Sequence, residues 1–159
     1  MANTAVIFST KHGCAKQCAA LLQEQLYNPA DLFQLGKDTV NLANYDQVIL
    51  GGSIYAGTIQ KEMKQFCEKN KEQLLRKKLA FYTCGMQEGQ SAKEQLSANY
   101  PADLLAHAVV REPFGGKLHM QNMRWWEKLV IRIVMKTTDD QDRIDQAAIK
   151  AFAKIWNHS

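Results

Sequence analysis

No apolar run in this 159-residue chain is long enough to cross a bilayer. The most apolar stretch, Leu129 to Met135, is short and broken by Arg132, whereas a spanning helix needs about 20 apolar residues. The N-terminus places no basic leader before a long apolar segment, so no secretory signal is expected. The four cysteines (Cys14, Cys18, Cys67, Cys84) include no CxxC pair and lie in or beside apolar patterns. That usage reads as reduced thiols in a cytoplasmic protein, not a disulfide framework. His107, His119 and His158 are scattered without metal-ligand spacing. No internal repeat, low-complexity tract or linker is visible, so residues 1–159 are expected to form a single domain.

What is present is an alternation of short apolar runs with helical patterns. Ala5 to Phe8 read as a buried strand running into Ser9-Thr10-Lys11-His12-Gly13-Cys14-Ala15. Cys14, Cys18, Leu21, Leu22 and Leu26 then recur at helical spacing, up to Asn28-Pro29. Leu32, Phe33 and Leu35 propose a second strand, and Val48 to Leu50 a third that enters Gly51-Gly52-Ser53-Ile54-Tyr55-Ala56-Gly57. An amphipathic helix with Ile59, Met63, Phe66 and Cys67 inward follows. Leu79 to Cys84 form a fourth strand ending in a loop through Gly85 and Met86, and a polar helix spans about Ser91 to Asn99. Leu104, Leu105, Ala108, Val109 and Val110 propose a fifth strand. Met123 to Lys136 reads as a Trp-rich helix. Thr138 with Gln141 matches a capping box, starting a last helix whose face is Ile144, Ala147, Ala148, Ala151, Phe152, Ile155 and Trp156.

This alternation predicts an α/β fold, a parallel sheet with helices on both faces. Ligands of such sheets bind beyond the carboxyl ends of the strands, near the topological switch point. Three strands here run into loops rich in Gly, Ser, Thr or Cys, beginning at Ser9, Gly51 and Thr83. The chain has no G-x-x-x-x-G-K-[ST] loop for a nucleoside triphosphate. It also lacks G-x-G-x-x-G after the first strand, which argues against a dinucleotide site. A hydroxyl-rich turn opening a helix suits a compact terminal phosphate, and Tyr55 offers a flat surface to an aromatic ring. A mononucleotide with a planar heterocycle, flavin mononucleotide (FMN), fits both.

The segments VIFSTKHGCAKQCA, ILGGSIYAGTIQKEMKQF and LAFYTCGMQEG resemble the three flavin-binding loops of flavodoxins. RWWEKLVIRIVMK, after the fifth strand, is most similar to the basic, aromatic-rich helical insertion of the menaquinone-dependent protoporphyrinogen IX dehydrogenases. The resemblance implies a doubly wound five-stranded parallel sheet of order 2-1-3-4-5, a helical insertion after the fifth strand and one FMN. It implies that Ser9, Thr10, Lys11, His12, Gly13, Cys14 and Ala15 wrap the phosphate. Ser53, Ile54, Tyr55, Ala56 and Gly57 would line one side of the isoalloxazine, and Cys84, Gly85 and Met86 the other. Two departures stand out. Ala15 replaces the threonine usual in the family, and the third loop lacks the acidic and aromatic residues typical of flavodoxins.

Each residue also has a plainer reading. Tyr55 could be a surface aromatic and His12 a solvated loop residue. Cys18 could pack on the sheet while Cys14 offers only its backbone N–H, and Cys84 could touch flavin or simply finish its strand. The net charge of +4 is concentrated between Arg111 and Lys136, with six basic residues against two acidic, while the remainder carries fourteen of each. In a helical projection Trp126, Leu129, Val130 and Ile133 share one stripe, leaving Arg124, Trp125, Lys128, Ile131, Arg132 and Met135 for a membrane or partner contact. An anionic membrane surface, a buried or dimeric packing, and nucleic acid are the alternatives. No recognition motif accompanies the charge, so no nucleic acid is expected. The resulting expectation is an FMN oxidoreductase that passes electrons from a protoporphyrinogen-like substrate to a quinone, cytoplasmic or peripheral on the inner face of the cell membrane. The alternative is a flavodoxin-type carrier acting on redox protein partners.

Overall fold

The computed structural model describes residues 3–118, 141–142 and 144–159. Its centre is a five-stranded parallel sheet of β1 (Thr4–Ser9), β2 (Ala30–Gln34), β3 (Gln47–Ser53), β4 (Lys78–Cys84) and β5 (Val110–Pro113), in the order β2-β1-β3-β4-β5. β1 is buried along its whole length, as expected of a strand covered by helices on both faces. Val6 and Phe8 face one core with Ile49, Ala80 and Tyr82. That core is closed by α1 (Cys14–Gln25) and by α6 (Gln146–Asn157). Ala5, Ile7, Val48, Leu50, Leu79 and Phe81 face the other. There the cover is α2 (Lys61–Lys69), α3 (Lys71–Leu75), α4 (Gly89–Asn99) and α5 (Ala102–His107). The alternation of single residues between the two cores is the period-two geometry of a strand.

Several expected boundaries move. Leu104 and Leu105 belong to α5, not to the fifth strand, which starts at Val110. Pro101 caps this helix and Asp103 in its first turn complements the dipole, so the apolar run from 104 to 110 is split between helix and strand. The last helix begins at Gln146, not at Thr138. Asp145 is its N-cap, accepting from the Ala148 N–H at 2.9 Å. Gln141–Asp142 instead form β7, antiparallel to β6 (Lys117–Leu118). The buried face of α6 is Ile149, Phe152, Ala153 and Trp156, whereas Ala147 and Ala151 are exposed and Ile155 is 48% exposed. The repeated alanines tolerate either side, and the aromatic pair selects the face: Phe152 packs edge-on against Phe114 at 5.1 Å. Asn157 then ties the two helices of this layer, donating to Gln25 O and accepting from Tyr27 N.

The Trp-rich segment Met123–Lys136, including Arg124, Trp125, Lys128, Ile131, Arg132 and Met135, lies outside the described residues, as does Thr138. Among the described residues no helix is long and apolar enough to cross a membrane.

Candidate flavin site

β1 and β3 are hydrogen-bonded neighbours, but the chain leaves β1 towards one face of the sheet and β3 towards the other. The carboxyl ends of these two strands therefore define the switch point, and the loops that leave them diverge around a crevice.

The first loop turns at Gly13, which holds the left-handed φ of 91° as the N-cap of α1. A side chain there would meet nothing within 4 Å, so the turn borders open space. Gly13 N donates to Thr10 Oγ1 at 2.9 Å, which folds the loop back on itself. No side chain caps α1 and no acidic residue sits in its first turn. Its first N–H groups and the positive end of its dipole are thus arranged as an anion site would require. Ser9 is fully buried, and its hydroxyl donates to Gln60 Oε1 at 2.9 Å. Ala15 is also fully buried, and its carbonyl accepts the Tyr82 hydroxyl at 2.9 Å.

The second loop closes as a tight turn. Tyr55 and Thr58 exchange both backbone hydrogen bonds across Ala56 (φ 52°) and Gly57 (φ 84°), the left-handed pair of a type I′ turn. Ala56 is the sole non-glycine among the described residues with positive φ, a strain of about 1 kcal/mol. Lys11 sets its amine 3.6 Å from the Tyr55 ring centroid, and His12 approaches the same ring edge-on at 6.0 Å. The first loop therefore leans on the tyrosine of the second, a cation–π contact.

Two polar residues outside the expected set hold these loops together. Gln60 accepts from Ser9 Oγ and from Ser53 N and donates to Ser53 O, clamping the ends of β1 and β3. Thr10 Oγ1 and Ser53 Oγ lie 3.4 Å apart just beyond the clamp. Asn99, buried at the end of α4, accepts from Ile59 N and donates to Gly57 O and Gln95 O. It thereby fixes the return of the second loop. Asn99 lies outside the three flavodoxin-like segments, and Gln60 lies within the second of them without being among its expected contacts. Their partners are 51 and 40 residues away in sequence.

The third loop joins through the backbone. Ile54 N donates to the Cys84 carbonyl at 2.6 Å, and Gly85 N to Gly115 O at 2.8 Å. Gly85 and Met86 are half-exposed at the crevice. The Cys84 side chain turns away from it, under α1, where its Sγ lies 3.1 Å from Cys18 Sγ. Burial pushes the Cys84 thiol well above its ordinary range, with hydrogen bonds to Cys14 and Cys18 adding to the shift. The structure thus joins the three expected loops by hydrogen bonds at the carboxyl ends of β1, β3 and β4. It also adds the stretch Phe114–Gly116 as a buttress, whose close backbone approach no side-chain pattern reveals.

The flavodoxin-domain family profile matches residues 5–145. The chain belongs to the flavodoxin-domain family. A curated relative of this flavodoxin domain is the protoporphyrinogen IX dehydrogenase [quinone] of Escherichia coli K12, 25% identical over 142 residues that cover 84% of this chain and 78% of that protein. Among solved structures, a putative flavoprotein from Bacteroides eggerthii superposes with a TM-score of 0.59 at 13% identity, covering 98% of both chains. A flavoprotein from Lactobacillus acidophilus NCFM, solved in complex with FMN, gives a TM-score of 0.55 at 12% identity. It covers 71% of this chain and 93% of its own. At these identities the solved structures speak to the flavodoxin fold alone.

Proposed function

We propose that this flavodoxin domain is an FMN-dependent oxidoreductase that passes electrons from a reduced, protoporphyrinogen-like substrate to a quinone-type acceptor. The observation that carries the cofactor reading is the Gln60 clamp together with the Ile54–Cys84 backbone bond, which link all three loops at the switch point. The FMN complex of the Lactobacillus acidophilus flavoprotein supports the choice of flavin, and the name of the Escherichia coli relative supports the substrate and acceptor. In this reading the turn Ser9–Ala15 takes the phosphate. Thr10, Lys11 and His12 supply side chains, Gly13, Cys14 and Ala15 supply the close backbone, and Ser9 positions the turn from below. Ser53, Ile54, Tyr55, Ala56 and Gly57 take one side of the ring, and Cys84, Gly85 and Met86 the other. Bound flavin supplies two-electron oxidation and reduction, and the protein supplies binding, orientation and electrostatics.

Purified protein is expected to show flavin absorbance that bleaches on anaerobic reduction, and the apoprotein to regain colour with added FMN. A colourless protein that takes up no FMN overturns the reading. Rapid reoxidation of the reduced protein by a quinone supports the enzyme. Slow reaction with quinone and porphyrinogen, but rapid exchange with a flavodoxin reductase, would assign it instead to electron carriage between proteins.

The basic, Trp-rich sequence 124–135 adds a proposed contact with an anionic membrane surface, where each basic residue contributes about 1 kcal/mol. Co-sedimentation with phosphatidylserine-containing vesicles is expected to fall with Trp125→Ala and to fall further, and become less salt-sensitive, with Lys128→Glu. Binding that neither variant weakens would remove the membrane from the proposal.

A further inference from the structure

The chain's four cysteines separate into one and three. Cys67 is buried on the α2 face beside Met63, with 3.9 Å between their sulfurs. Cys14, Cys18 and Cys84 meet on the opposite face, with all three Sγ atoms within 4.8 Å of one another. Cys14 and Cys18 are one turn apart on α1, so both project to the same side of the helix. Cys84 reaches them from the last position of β4. They belong to the core that includes Phe8, Ala15 and Tyr82, and all three are buried, Cys14 being the most accessible at 8%. The flavin reading uses only backbone at Cys14 and Cys84 and does not use Cys18, so the cluster of thiols is unexplained by it.

We propose that Cys14, Cys18 and Cys84 form a three-sulfur site for a soft monovalent cation, Cu(I). The spacing is suitable: three sulfurs about 2.3 Å from a common ion stand about 4 Å apart in a trigonal arrangement. The described sulfurs, 3.1 Å apart for one pair and within 4.8 Å for all, bracket that value. The donor set narrows the metal. Among the described residues no histidine, aspartate or glutamate joins the cluster, so a tetrahedral zinc site would lack its fourth protein ligand, while hard cations are not served by sulfur at all. Cu(I) is selected by thiolates and accepts low coordination in an apolar surrounding. On binding, copper–sulfur bonds replace S–H bonds, the displaced protons leave to solvent, and no electron changes hands. The ion would tie the first turn of α1 to the end of β4, beneath the first and third loops. That last consequence rests on the flavin reading; metal binding itself does not.

The test uses the full chain, reduced, anaerobic and without flavin, titrated with Cu(I) buffered by a competing chelator. One copper per chain is expected, with an ultraviolet thiolate-to-copper band and an X-ray absorption shell of three sulfurs. Cys18→Ser and Cys84→Ser are each expected to weaken binding by at least about a hundredfold, more than is lost when a residue that only orients a ligand is changed. Cys67→Ser should leave it unchanged. Circular dichroism checks that each variant folds, and Cys14→Ala, at the partly accessible helix start, serves as a further variant if the buried serines do not fold. Copper held by two sulfurs only, equal binding by the Cys14→Ala protein, unweakened binding by folded Cys18→Ser or Cys84→Ser, or loss of binding in Cys67→Ser would overturn the proposal. Because flavin is absent from these measurements, their failure is distinct from a failure to bind FMN.

Discussion

Replacing Gly51 with alanine is expected to cost about 2–6 kcal/mol of folding stability, a large share of the marginal stability of a domain this size. Gly51 and Tyr82 are directly paired between β3 and β4, and the tyrosine ring lies over the glycine. A Cβ at position 51 would fall 1.9 Å from Tyr82 Cζ and within 2.4 Å of both ring carbons beside it. The ring cannot simply rotate away. It is stacked on Phe114 at 4.8 Å with only 15° between planes, and Phe114 is itself wedged against Phe152. Its hydroxyl donates to Ala15 O in a fully buried position, and burial holds the phenol well above its usual pKa, so it remains the neutral donor. Overpacking contributes about 1–3 kcal/mol, and a buried hydroxyl pulled from its acceptor about 1–3 kcal/mol more. Urea unfolding checks the total. Pairing Gly51→Ala with Tyr82→Leu should recover part of the loss, since the methyl then occupies space the ring has vacated. A single substitution costing under about 1 kcal/mol would show that this packing does not decide stability.

Much of this architecture can be read from periodicity. The uninterrupted burial of β1, the third and fourth strands, and the inward face of α1 follow from apolar spacing, and the hydroxyl- and glycine-rich turns mark the three loop positions. The places where the reading moves share a cause. Leu104 and Leu105 join Val109 and Val110 in one apolar run, and such a run does not distinguish helix from strand; the Pro101-Ala102-Asp103 start is what separates them. In α6 the alanines make two faces nearly equivalent, and contact with Phe114 chooses between them. The supports of the candidate site are less legible still. Gln60 and Asn99 are single polar residues whose function depends on partners brought close only by folding. The three clustered thiols are four and 66 residues apart along the chain, which matches no metal-ligand spacing although the fold brings them together. Local pattern specifies elements; contacts between distant loops specify the site.

The largest expected effect on flavin binding comes from a residue that need not touch the cofactor. Gly116 packs backbone to backbone against the third loop, and a Cβ there would stand 2.4 Å from Gly85 O and 2.6 Å from Gly85 C. No flexible side-chain end is available to yield, so the loop or the buttress must shift. The buttress is anchored, because Phe114 N donates to Thr83 O and Gly85 N to Gly115 O, both at 2.8 Å, while Asp145 N holds Phe114 O. On the other side, a Cβ at Gly85 would lie 3.1 Å from Ile54 Cβ, so the third loop has little room to move towards the second. Gly116→Ala should therefore displace Gly85 and Met86 and disturb the Ile54–Cys84 bond that joins the loops across the crevice. If these loops enclose the isoalloxazine, FMN affinity falls at least about tenfold, equivalent to about 1.4 kcal/mol. The phosphate turn Ser9–Ala15 is far less affected, so the residual binding should keep its response to competing inorganic phosphate. Titration of the apoprotein, followed by flavin fluorescence, measures the shift, and urea unfolding separates it from a general loss of stability. An unchanged FMN affinity in a folded Gly116→Ala protein would mean that the third loop does not enclose the ring, and would confine the proposed flavin contacts to the loops after β1 and β3.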